Sequence, residues 1–176
     1  PQSSPLIDKR NFQLVQLDAL GVGLSAAANA FLAVFLTRLG ASTFQISLLT
    51  SMPAIAGLAL VMVLGMFIQR QKNPAPWYSR ARLMVQLCYM ITGLVPFFFV
   101  GEDKINAVLI VWAVATIPQT ILNLTFNVVM NAMAGPEGRY EFMTHRWTVL
   151  GITNSVVTFI VGQVLAATSY GFPINY

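Results

Sequence analysis

Charge is scarce in this chain: only 9% of its 176 residues are Asp, Glu, Lys or Arg, where soluble domains average about 25%. Cysteine and histidine are scarcer still, with one of each, Cys88 and His145. A lone cysteine excludes an intrachain disulfide, and in an apolar run it reads as a small buried hydrophobe. His145 stands between Thr144 and Arg146, in a stretch read as a solvated loop, so no apolar run offers an axial imidazole for haem or chlorophyll. Zinc-ligand spacing is missing, as are paired carboxylates and a Ser/His/Asp set within the apolar runs. These absences argue against an enzyme, a metal site and a resident cofactor. No basic patch is interleaved with aromatics in the manner of a nucleic-acid surface, so no nucleic-acid partner is expected.

What is present is apolar: 56% of the residues are hydrophobic. They fall into five runs, each read as a helix able to cross a hydrocarbon core, which takes about 20 residues. The expected spans cover residues 12–37, 44–68, 83–100, 105–130 and 147–168. Residues 1–11 form a polar segment ending in Asp8, Lys9 and Arg10. Ala28-Asn29-Ala30 imitates a signal-peptidase site, but the apolar run continues through Leu36, longer than a signal-peptide core. An uncleaved span is expected there. Its small residues, Gly21, Gly23, Ser25 and Ala26 to Ala28, predict close helix packing. Arg38, Gly40 and Ala41 predict a tight turn, and Ser42 with Gln45 a capping box opening the second span. Pro53 lies inside that span, where a neighbour must satisfy the carbonyl it frees. Residues 69–82, with Pro74 and Pro76, read as a basic loop with Trp77 and Tyr78 at headgroup level. Residues 131–146 read as a second such loop. The segment 169–176 ends on Gly171, Phe172 and Pro173, as though a sixth helix should follow.

The charges orient these spans. With a cytoplasmic N-terminus, interior loops hold Lys9, Arg10, Arg70, Lys72, Arg80, Arg82, Arg139 and Arg146, and exterior turns hold Arg38 and Lys104. That is the positive-inside pattern. The net charge of +4 is thus a topology signal.

Polar side chains within the spans are the candidate site. Asp18 is the only ionisable residue well inside one, and such residues usually face a protein interior or a water-filled cavity. It reads either as a proton- or cation-coupling carboxylate or as a group reaching interfacial water or a basic neighbour. Ser25 and Asn29 follow on the same face of the first helix. The fourth span carries amides four residues apart, Gln119, Asn123 and Asn127, continued by Asn131. Four residues overshoot one turn by about 40°, so one flat partner helix cannot meet all four. The inner three fit a cavity wall or two neighbours, while Asn131 belongs with the following loop. The fifth span adds Asn154, Thr158 and Gln163. Interhelical hydrogen bonding is the alternative reading. Asn123-Leu124-Thr125 has the glycosylation pattern but lies inside a span.

Three places resemble the N-terminal half of a major facilitator superfamily transporter. Leu39-Gly40-Ala41-Ser42 leading into Phe44-Gln45-Ile46-Ser47-Leu48-Leu49 is similar to the start of the second helix in many bacterial members. Gly65-Met66-Phe67-Ile68-Gln69-Arg70-Gln71-Lys72 stands where the superfamily has Gly-x-x-x-Asp-Arg-x-Gly-basic-basic. Gly65 and Arg70 match it, while Gln69 replaces the acid and the second glycine is missing. Pro136-Glu137-Gly138-Arg139, with Arg146 beyond, resembles the Pro-x-x-Arg loop after the fourth helix. The resemblance covers residues 10–176, five of the six helices of one half.

It implies an all-α helical bundle in the cytoplasmic membrane of a bacterium, moving a small solute by alternating access. Its first and fourth helices would line the path, with Asp18, Ser25, Asn29, Gln119, Asn123 and Asn127 on it. Gly65, Arg70, Arg139 and Arg146 would belong to the cytoplasmic gate loops. The family's gate latch uses the acid that Gln69 replaces. The expected partners are the lipid bilayer and the solute. The rival reading is an accessory or scaffold subunit of a larger membrane complex, without transport.

Overall fold

Four helices make up the described chain: α1 (Pro5–Arg38), α2 (Thr43–Gln69), α3 (Ala75–Phe98) and α4 (Glu102–Ala167). The structure, a computed structural model, describes residues 5–167, with side chains for residues 9–134 and 140–164. No strand occurs among the described residues. Five helical segments are long and apolar enough to cross a membrane: Lys9–Arg38, Thr43–Gln69, Ala75–Phe98, Glu102–Ala134 and Tyr140–Val164. The chain has the build of a multi-pass, all-α membrane protein.

The turns follow from local chemistry. Gly40, at φ 86°, takes the left-handed conformation that closes many helices. The Gly40 N–H donates to Thr37 O at 3.1 Å and the Ala41 N–H to Leu36 O at 3.0 Å, the paired bonds of a Schellman motif. Ser42 then caps α2, its side chain accepting from Gln45 N–H while the Gln45 side chain accepts from Ser42 N–H. The expected capping box is present. Gly101, at φ 61°, closes the turn between α3 and α4.

Two stretches expected as loops are helical. α3 starts at Ala75 and so takes in residues 75–82. Pro74 and Pro76 start the helix here, because a proline in the first turn loses no hydrogen bond, and Asn73 Oδ1 accepts from Ala75 N–H at 3.0 Å. Residues 131–146 lie within α4. Ala132, Met133, Ala134, Glu141 and Met143 favour helix, which leaves Gly135, Pro136 and Gly138 as the breakers. The expected segment 169–176 lies outside the described residues.

The described residues divide into two compact units. One joins α1 up to Phe31 with α4 from Val129, and the other is Leu32–Val128.

In the first unit α1 buries Val15, Ala19 and Ala27, with Gly23 on the same seam. A Cβ built on Gly23 would lie 2.8 Å from Thr153 Cβ and 3.0 Å from Leu150 O, so the two backbones meet where only glycine fits. Phe12 packs edge-on against Phe142, and Phe31 approaches Gly162. Positions 12, 23 and 31 thus meet 142, 153 and 162 in rising order, and the two segments run parallel.

In the second unit Leu32, Phe35 and Leu36 of α1 pack with Leu49, Val95, Ile105, Val108 and Leu109. Here α2 runs parallel to the first part of α4. Leu49 meets Trp112, and Gly57 meets Thr120. The Trp112 contact has a specific cause. Pro53 has no N–H with which to bond Leu49 O, one turn back. The Trp112 indole N–H donates to that carbonyl instead, at 3.0 Å. Tyr89 supports the indole edge-on, with ring centroids 5.6 Å apart.

Candidate functional site

The first unit contains an ion pair between two membrane-length helical segments. Arg146 Nη2 donates to Asp18 Oδ2 at 3.3 Å, with 3% of the Arg146 side chain and 19% of the Asp18 side chain exposed. Trp147 sits against the guanidinium, its ring centroid 5.5 Å from Arg146 Cζ. A carboxylate in lipid needs a cation or water, and here a guanidinium meets it. Asp18 was expected on a solute path and Arg146 in a gate loop; the structure brings them together, on two parallel helices.

The other expected residues of α1 stand differently. Ser25 Oγ donates to Gly21 O at 2.9 Å, which satisfies its hydroxyl within its own helix. Asn29 is exposed. The amide atoms of Gln16 and the Asn154 Oδ1 are buried without a hydrogen-bond partner. Gln16 was passed over in the sequence, although an amide inside the first span is itself a signal. His145 of α4 packs edge-on against Phe12, near the start of α1; it is exposed and lies 3.9 Å from Glu141.

In the second unit the polar residues of α4 separate into two sets. Thr116, Thr120 and Thr125 are buried. Each hydroxyl donates to a carbonyl one turn back, at 3.2, 2.8 and 2.7 Å. These threonines need no outside partner. Gln119, Asn123 and Asn127 are exposed. Gln119 Nε2 donates to Asn123 Oδ1 at 3.3 Å, which leaves each amide with further hydrogen-bonding capacity. Thr116 and Thr120 lie within about 60° of Asn123 around the helix, so covered and open polar positions sit side by side on α4. Asn131, in the first unit, is exposed as well.

The expected gate residues are spread out. A Cβ on Gly65 would meet nothing within 4 Å, so no close approach requires glycine there. Arg70 is exposed and caps α2, its backbone N–H donating to Ile68 O and Phe67 O. Arg139 falls among residues 135–139, whose side chains lie outside the described part. No cluster of three or more His, Cys, Asp or Glu side chains able to hold a metal occurs among the described residues.

The arrangement offers hydrogen-bonding amides on an open helix face and one internally neutralised charge pair. Comparison with protein-family models, curated proteins and solved structures finds no match to this chain.

Proposed function

We propose that this chain is part of the N-terminal half of a major facilitator transporter, moving a small solute across a bacterial cytoplasmic membrane by alternating access. The observation that carries this reading is the exposed row Gln119, Asn123 and Asn127 on a segment apolar enough to sit in lipid. An amide moved from water to hydrocarbon without a partner costs roughly 4–8 kcal/mol. Three such groups on one face call for water or a polar partner, and a solute path supplies the first.

Helix directions support it too. Transporters of this superfamily pair their first and fifth spans in parallel, and their second and fourth. Both relations occur within the units described above. With Arg146 set aside as the buried partner of Asp18, seven basic residues stand at the ends a cytoplasmic N-terminus would make interior and two, Arg38 and Lys104, at the others, which supports that orientation. Asp18 enters the reading as half of an ion pair linking the first and fifth spans.

A thermal-shift screen of the purified native protein against sugars, amino acids and organic ions tests the reading. A transported solute should raise Tm, because it binds only the folded state. The Asn123→Leu variant should keep its unliganded Tm and weaken that solute about tenfold, as expected for a lost hydrogen bond to a buried ligand. If no solute stabilises the protein, and it copurifies in fixed ratio with other membrane subunits, the accessory-subunit reading replaces this one.

A further inference from the structure

The second unit carries a basic cluster that neither the core nor the amide row uses. No acidic residue occurs between Asp18 and Glu102, a stretch holding Arg38, Arg70, Lys72, Arg80 and Arg82. The only acids of this unit, Glu102 and Asp103, stand at the start of α4. They are separated from the α2–α3 loop by the whole of α3, about 36 Å of helix at 1.5 Å per residue.

The loop is short and its geometry is fixed. Gln71 N–H donates to Ile68 O at 3.0 Å, and Asn73 holds the start of α3. Phe67, in the last turn of α2, meets Trp77, in the first turn of α3, edge-on at 4.8 Å between centroids. Arg70 follows Phe67 by three residues and Arg80 follows Trp77 by three. Residues three apart share a helix side, so the ring pair gathers Arg70 and Arg80 at one end of the helix pair, with Lys72 between them in the loop. Arg80 Cζ lies 5.8 Å from the Trp77 ring centroid.

Arg70, Lys72 and Arg80 are exposed, and none forms an ion pair among the described residues. Arg82 differs, since its Nη2 donates to Tyr78 Oη at 2.9 Å. Three exposed cations beside an aromatic pair, at the end of two membrane-length helices, sit where phospholipid headgroups lie. Clusters of Lys and Arg next to a span attract anionic lipid, each cation contributing about fivefold in affinity.

We propose that Arg70, Lys72 and Arg80, held together by the Phe67–Trp77 contact, form a docking site for the phosphodiester of an anionic phospholipid. Gln69 is central to the specificity of this site. An acid there would put a negative charge beside the three cations and weaken their attraction for the lipid phosphate. The inference needs only the membrane setting, so it stands or falls independently of transport.

Native mass spectrometry of the purified native protein, titrated with phosphatidylglycerol or with phosphatidylcholine of the same acyl chains, tests it. Phosphatidylglycerol should bind at least tenfold tighter. The variant Arg70→Gln/Lys72→Gln/Arg80→Gln should lose that preference, while Lys9→Gln/Arg10→Gln should keep it. Should the triple variant fail to fold, Gln69→Glu alone should weaken phosphatidylglycerol about fivefold by offsetting one positive charge of the cluster. Equal binding of the two lipids would overturn the proposal. So would a preference that survives both the triple variant and Gln69→Glu, or one lost equally in the Lys9/Arg10 variant. Displacement of the lipid by millimolar inorganic phosphate would mark a site for a free anion and overturn the lipid assignment.

Discussion

A carboxylate inside a membrane helix imposes a cost that some other residue must offset, and for Asp18 that residue is Arg146. With 3% of the Arg146 side chain exposed, removing the aspartate leaves a buried cation without its counter-ion. Breaking such a pair from one side typically costs about 3–5 kcal/mol. We expect Asp18→Asn and Arg146→Gln each to destabilise the protein by about 3 kcal/mol, and the double variant to lose clearly less than the sum. A double-mutant cycle in denaturant reads this directly; additive losses would show that the pair does not act as a unit. The cost of Asp18 was legible from its place in an apolar run, and a basic neighbour was one of its two readings. Its partner was not legible. Arg146 stood in a stretch read as loop, 128 positions away, and pairing at that range depends on how helices cross. Gly23 shows the same division. Its small neighbours announce close packing, but the contact with Thr153 exists only in three dimensions.

At the scale of the helices, most of what was legible concerns their ends. The Ser42–Gln45 box and the Gly40 turn are local devices, set by residues within one turn of each other, and both are found where their residues predict them. Pro74 and Pro76 are also local, but they fit either a broken loop or a first helical turn, and the structure uses the second. Pro53 lies between these cases. That its freed carbonyl needs a donor follows from the missing N–H; that the donor is Trp112 depends on α2 lying beside α4. This contact gives a two-way prediction. Trp112→Phe should destabilise by about 1–2 kcal/mol, by leaving Leu49 O unsatisfied. In a Pro53→Ala background the backbone N–H returns, and the hydrogen-bonding part of the Trp112→Phe loss should vanish. Thermal unfolding of the four proteins in the cycle measures it, and an equal loss in both backgrounds would contradict the assignment.

For the whole molecule, five apolar segments and scarce charge are enough to read a multi-pass chain from sequence, because lipid permits few alternatives. The amide row was legible as a pattern, and its drift around the helix follows from the helical pitch. Its exposure was not, since Thr116 and Thr120 occupy neighbouring positions on the same helix and are buried. Only packing decides which polar face is covered. The account of function depends on what meets the uncovered one. The most direct test is cysteine accessibility in a Cys88→Ser background, in membranes, with a small membrane-impermeant thiol reagent. Cysteines placed singly at Gln119, Asn123 and Asn127 are compared with cysteines at Ile117 and Val128, which are exposed but lie about 120–140° around the helix from Asn123. A water-lined path predicts labelling at the three amide positions and none at the two apolar ones. Failure to label the amide positions, or equal labelling of both sets, would contradict it.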